Sequence, residues 1–196
     1  MAIPSLTASG PIQPTPGHGP PRAGSHAHRA VDTTEYELRV VGQSIEDRLR
    51  TARELLGMDI AWIAEFQGGK KVFRTIDGDG DSFGFAEGAA MPLDGSYCKR
   101  VALGVIPNVI PDTAAEPGVR DLEVTLAARI GAYVGVPIAL VDGTVYGTLC
   151  VASHRPNGDL SERDLKFLEG IARRVADIVE EERAAVAERP ARAPRN

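Results

Sequence analysis

Cysteine is scarce in this chain of 196 residues: Cys98 and Cys150 are its only thiols. Two are too few for a disulfide framework and fit a reducing compartment, although a single bridge between them stays open. Basic charge is also lacking. The net charge of -5 is the reverse of the basic stripe that nucleic acid requires, so DNA and RNA are not expected partners. No run of eighteen apolar residues occurs, and the N-terminus lacks the charged-then-apolar pattern of a secretory signal. The expectation is a cytoplasmic protein with no membrane partner. Branched apolar and aromatic residues are nearly missing from residues 1–33, which are crowded with Pro, Gly, Ser and Ala. Such a segment cannot offset its ordering entropy and reads as a disordered tail, in which His26 and His28 are incidental rather than a metal site. The Ala-, Pro- and Arg-rich residues 187–196 read as a second tail.

What lies between, residues 34–186, has the length and texture of one domain. Thr34 and Glu37 form a capping pattern, and Leu38, Ile45, Leu49, Ala52 and Leu56 recur at helical spacing up to Gly57. Residues 58–66 and 71–76 are strand-like and flank Gly68-Gly69, a hairpin signal. Asp77-Gly78-Asp79-Gly80-Asp81 opens like a calcium loop. The rest of that motif fails, because Ser82 stands where Gly is needed and Gly88 where a bidentate Glu belongs, so an acidic turn is expected. A short strand and loop are expected over 82–92. Ser96 then caps a brief helix closed by Gly104, Ile106–Pro111 reads as an edge segment, and residues 121–130 as a second short helix stopped by Gly131. Strands at 132–140 and 144–152 meet at the tight turn Val141-Asp142-Gly143. Ser161 and Asp164 open the last helix, whose apolar positions Leu165, Leu168, Ile171, Val175, Ile178 and Val179 make one stripe. The order is helix, two strands, a helical insertion, two strands, helix: an antiparallel sheet with helices on its faces.

Five strings carry a resemblance. They are Asp94-Gly95-Ser96-Tyr97-Cys98, Val109-Ile110-Pro111-Asp112-Thr113, Gly131-Ala132-Tyr133-Val134-Gly135-Val136-Pro137-Ile138, Asp142-Gly143-Thr144-Val145-Tyr146-Gly147-Thr148-Leu149-Cys150, and Leu160-Ser161-Glu162-Arg163-Asp164-Leu165. In this order, over residues 35–183, they resemble the GAF domain family. The resemblance implies an α+β fold with a central antiparallel sheet of five to six strands, the N- and C-terminal helices on one face and short helices and loops on the other. It also implies a module that senses a small molecule between sheet and lid and reports through its terminal helices.

On that reading Gly135 and Gly147 let something approach the strand backbone, and Gly84–Ile130 forms a lid with room beneath it. The ligand-binding candidates are Ser96, Tyr97, Cys98, Asp112, Tyr133 and Thr148. Each also has a plain structural reading: Ser96 as a helix cap, Asp112 as an Asx turn, Tyr97 and Tyr133 as core aromatics. No cofactor is expected. Residues 121–130 hold neither the Cys nor the His of bilin-binding members. His154, the one histidine inside the folded region, follows the last strand and suits haem poorly, and the cyclic-nucleotide pattern is missing. The enzymatic alternative is a thiol-dependent reductase like free methionine-(R)-sulfoxide reductase, with Cys98 at a helix start as its catalytic thiol. Against it, Thr113–Gly131 holds no further cysteine, and Cys150 reads as a small buried hydrophobe. A third reading is a dimerising module whose seam is Leu168, Ile171, Val175 and Ile178, spaced as in a coiled coil. A homodimer, or an output protein in trans, is the expected partner.

Overall fold

The computed structural model describes residues 44–188. The expected tails, and the Thr34, Glu37 and Leu38 start of the first helix, lie outside the described residues. Helix α1, Ile45–Leu55, starts at Ser44, whose hydroxyl accepts the Asp47 amide at 3.3 Å. It turns Leu49 and Ala52 inward, fully buried, as the spacing requires. Strands β1, Ile60–Gln67, and β2, Lys70–Gly78, are joined by Gly68 and Gly69. Both glycines have positive φ, at 55° and 75°, which a two-residue hairpin turn requires and which glycine adopts without strain.

The acidic stretch after β2 is used locally. Asp77 accepts a hydrogen bond from Arg53 Nε at 2.6 Å, with Arg50 Nε at 3.5 Å, and Asp79 caps a four-residue helix, α2, Gly80–Phe83. That helix stands where a strand and loop were expected. A carboxylate accepting the Ser82 amide at 3.1 Å outweighs the weak extended preference of the segment. The short strand follows as β3, Ala90–Pro92. Helix α3, Tyr97–Ala102, is capped by Ser96; β4 is only Val109–Ile110; and α4, Glu123–Ala127, is shorter at both ends than the expected helix. Strands β5, Ala132–Ala139, and β6, Val145–Ser153, form the second hairpin, and α5 runs Glu162–Ala187 from a capping box in which Asp164 accepts the Ser161 amide at 2.8 Å.

All strand pairs are antiparallel, in the order β3-β2-β1-β6-β5-β4. Alternation along the strands splits the core in two. Ala61, Ile63, Val134, Val136, Leu149 and Val151 face α1 and α5, while Ile60, Trp62, Phe73, Tyr133, Cys150 and Ala152 face α2–α4 and their loops. The architecture is the α+β sheet with terminal helices on one face and short helices and loops on the other. Leu168, Ile171 and Val175 are at most 1% exposed, packed in the helix-side core with β5 and β6 beneath their helix. Their stripe therefore serves the sheet first, and of the four residues read as a seam only Ile178 stands half-buried outside that core.

Candidate functional site

The layer formed by α2, α3, α4 and their loops covers the strands as a lid does, but what it meets is an aromatic cluster. Trp62 contacts Phe85 edge to face at 5.4 Å between centroids, Phe85 stacks on Phe73 at 4.8 Å, and Tyr97 leans on Tyr133 at 4.6 Å. Much of the space expected beneath the lid is filled by these rings. Gly135 admits the Tyr133 ring, which a Cβ there would strike, and Gly147 admits the β1 backbone at Ala64. What approaches these glycines is the protein itself. That corrects the reading of both as places for a ligand.

Four of the six candidate residues converge. Tyr97, Cys98, Tyr133 and Thr148 are buried together under the lid. Ser96 and Asp112 do not join them: the Ser96 hydroxyl accepts the Lys99 amide at 3.2 Å and donates to the Leu93 carbonyl at 2.6 Å, and Asp112 accepts the Ala114 amide at 2.9 Å in an Asx turn. Tyr97 bonds the Thr125 hydroxyl at 2.8 Å, and burial pushes its phenol up to about 12. It is a core aromatic with its polar end satisfied.

The remaining polar atoms form a second group, centred on sulfur. Cys98, on α3, and Cys150, on β6, are both fully buried free thiols of the lid-side core. Register puts Trp62 directly opposite Cys150, and the Tyr133 hydroxyl lies 3.1 Å from Cys150 Sγ. Trp62 Nε1 and Thr148 Oγ1 are buried and complete no hydrogen bond among the described residues.

Lys71 completes the group. Its side chain is 3% exposed, with Nζ 5.0 Å from the Phe73 centroid and 5.4 Å from that of Phe85. No ion pair joins it to a carboxylate among the described residues. The neighbouring Cys150 thiol first, and then the Lys71 charge and the Thr148 and Trp62 dipoles, hold the Cys98 thiol below its ordinary range against the opposing effect of burial. Burial pushes Cys150 up, and the charge on Cys98 adds to the shift.

Lys71 and Trp62 were not among the sequence candidates, and Cys150 had been read as a small hydrophobe. One signal was available: Lys71 shares the period-two face of Phe73. A concavity of about 360 Å³ also opens on the helix side, bounded by Ile45, Ile63, Val175 and Val179. Its polar groups answer one another, with Glu65 paired to Arg74 and accepting from the Tyr146 hydroxyl at 3.3 Å.

Comparison with known proteins agrees with this fold. The chain is 38% identical over 85 residues to a cyclic di-GMP phosphodiesterase of Pseudomonas aeruginosa, a match covering 43% of this chain and 14% of that protein. The chain thus spans a small part of that relative's length. Among solved structures it resembles the GAF domain of an Acinetobacter phosphoenolpyruvate-protein phosphotransferase, with TM-score 0.57, 15% identity, and coverage of 74% of this chain and 84% of that one. It also resembles free methionine-R-sulfoxide reductase from Neisseria meningitidis, with TM-score 0.56, 18% identity, and coverage of 72% and 78%. At such identities the likeness is one of fold. The GAF domain model matches residues 45–180, nearly all that the structure describes, and the chain belongs to the GAF domain family, a family of signalling and sensing modules.

Proposed function

We propose that this GAF module is a cytoplasmic receptor for a small, acceptor-bearing molecule taken up between the sheet and the α2–α4 layer. In this reading α1 and α5, on the opposite face, pass the occupied state to a second copy of the chain or to an output protein in trans. The carrying observation is the buried Lys71 ammonium, without a carboxylate partner among the described residues, beside the unpaired Trp62 and Thr148 donors. An unsatisfied buried polar group costs about 1–3 kcal/mol, and an unpaired charge more. Folds keep such groups where function uses them, so a molecule bringing acceptor atoms would find donors already placed. The segment shared with the phosphodiesterase supports a place in signalling.

The test uses Trp62, the only tryptophan in the chain and part of the site, as a fluorescent reporter. Acetate, inorganic phosphate, free methionine sulfoxide and hydrogen peroxide are titrated in turn. The expected outcome is a saturable change in emission with one class, lost in Lys71→Met, while that variant melts at a higher temperature because an unpaired buried charge has gone. No saturable response to any probe, with Lys71→Met melting lower than wild type, would remove the receptor reading.

A further inference from the structure

The geometry points to the chemistry of the ligand: the lid-side site takes a small monoanion, with the Lys71 ammonium as its counter-charge and Trp62 Nε1 and Thr148 Oγ1 as supporting donors. This rests on the receptor reading and names the class of molecule sensed. Register gathers the three donors around one small residue. Ala64 pairs with Phe73 on β2 and with Thr148 on β6. Trp62 stands two residues before Ala64 on the same face of β1, so Trp62 and Thr148 are diagonal neighbours, about 7–8 Å apart between Cα atoms. Lys71 pairs with Phe66, two residues beyond Ala64, and its Nζ lies 5.0 Å from the Phe73 centroid and 5.4 Å from that of Phe85. The Trp62 indole meets the same two rings, at 6.4 and 5.4 Å between centroids. Lys71, Trp62 and Thr148 are 3%, 2% and 0% exposed, and neither Trp62 Nε1 nor Thr148 Oγ1 has a hydrogen-bond partner among the described residues.

The valence follows from the charges. Carboxylates near this site in sequence are committed elsewhere: Glu65, next to Ala64, pairs with Arg74, Glu87 accepts the Ile76 amide at 2.8 Å, and Asp94 pairs with Lys99. Two aromatic rings recover only part of the hydration that a buried ammonium gives up. One negative charge completes the balance, whereas a dianion would exchange an unpaired cation for an unpaired anion. Ammonium and indole are donors only, so the ligand must bring acceptor atoms to both. Burial holds Tyr97, Tyr133 and Cys150 neutral by pushing each upward. Cys98, held below its ordinary range, is the group of this cluster whose ionisation competes with the ligand for Lys71. The rings pack closely and Ala64 has the smallest side chain among them, which limits the occupant to a few atoms, the size of formate, acetate or chloride.

Entry comes through the lid. Its helices have four, six and five residues, and β3 and β4 add only three and two to the sheet, so this layer opens more readily than the helix-covered face. The donors stand on β1, β2 and β6, while Phe85, in the loop after α2, covers the ammonium. An anion that balances Lys71 removes the penalty of closing that loop over a bare charge. The occupied protein therefore holds its lid shut more of the time, a population shift that α1 and α5 can register.

Formate, acetate and chloride are titrated into the reduced protein near neutral pH, with sulfate at equal ionic strength as the dianion, and followed by Trp62 emission and calorimetry. The expected result is saturable binding of at least one monoanion, one per chain, none of sulfate, and a melting temperature that climbs with monoanion concentration. Lys71→Met, checked for native far-UV dichroism, loses the response. Thr148→Val, close in shape to the native residue, binds about tenfold more weakly, and it decides the matter if Lys71→Met does not fold. Cys98→Ser, relieved of the competing thiol, binds at least as tightly as wild type. A merely structural lysine would leave the monoanion response of Lys71→Met equal to that of wild type, which overturns the inference, as does sulfate binding as tightly as the monoanions or Thr148→Val binding with unchanged affinity. A response found in Cys98→Ser and missing from wild type gives the balancing charge to the Cys98 thiolate and overturns it too. Saturable binding of methionine sulfoxide or hydrogen peroxide, with the monoanions silent, overturns this assignment and leaves the receptor; no response to any probe removes both.

Discussion

Gly147 lies directly against Ala64: a Cβ at 147 would collide with the Ala64 carbonyl oxygen and stand 2.9 Å from its carbonyl carbon. The obstacle is backbone in the central strand pair, so no rotamer change relieves it. Gly147→Ala should cost about 3 kcal/mol or more, at the upper end for overpacking. Urea denaturation followed by Trp62 emission measures it. A loss below about 1 kcal/mol would mean that β1 and β6 can separate locally without penalty.

Leu168 and Ile178 share one helix but differ in burial, at 0% and half-buried. Leu168→Ala should cost about 2–5 kcal/mol by cavity formation, and Ile178→Ala under about 1 kcal/mol, both read by thermal or urea unfolding. For the dimer question Ile178→Asp is therefore the informative variant, because Leu168→Asp would unfold the chain. Light scattering that shows unchanged mass for Ile178→Asp would place any self-association elsewhere than this helix.

Ser96→Ala removes the acceptor for the Lys99 amide and the donor to the Leu93 carbonyl at the start of α3. A loss of about 1–2 kcal/mol is expected, with the Trp62 response to a bound probe kept. Weaker probe affinity at unchanged stability would instead put Ser96 in the binding site.

Stability should follow pH in a way that reports the thiols. Because the folded state holds the Cys98 pKa below the ordinary thiol value of about 8.5, the unfolded chain binds more protons below that value. The Cys98 contribution is therefore present above the ordinary value and is lost as pH falls through the lower, folded one. Cys150 and Tyr133 are shifted upward by burial, so above their ordinary values the folded state binds more protons and stability declines. The melting temperature of reduced protein should rise as pH approaches the thiol range and then fall. Cys98→Ser should lack the rising limb, and identical profiles for the two proteins would show that Cys98 is an ordinary buried thiol.

Most of the fold was legible because its signals are local. Gly68-Gly69 dictates a turn, Ser161 and Asp164 a helix start, and alternation along 132–139 assigns each side chain to a face, all through forces acting within a few residues. The helix at Gly80–Phe83 was missed because one cap, Asp79, overruled the preference of the residues after it. Asp112 and Ser96 were legible too, in their plainer roles.

The sequence by itself determined the order of elements and the sheet that they build, since periodicity and turn chemistry need only near neighbours, and its five strings carried the resemblance to the GAF domain family. Only the tertiary structure decided that Lys71 is buried with its ammonium over the Phe73 and Phe85 rings, and that Cys98 and Cys150 join one buried cluster. Burial and electrostatic coupling depend on what the lid brings down onto the strands from distant parts of the chain, and no window along the sequence contains that contact.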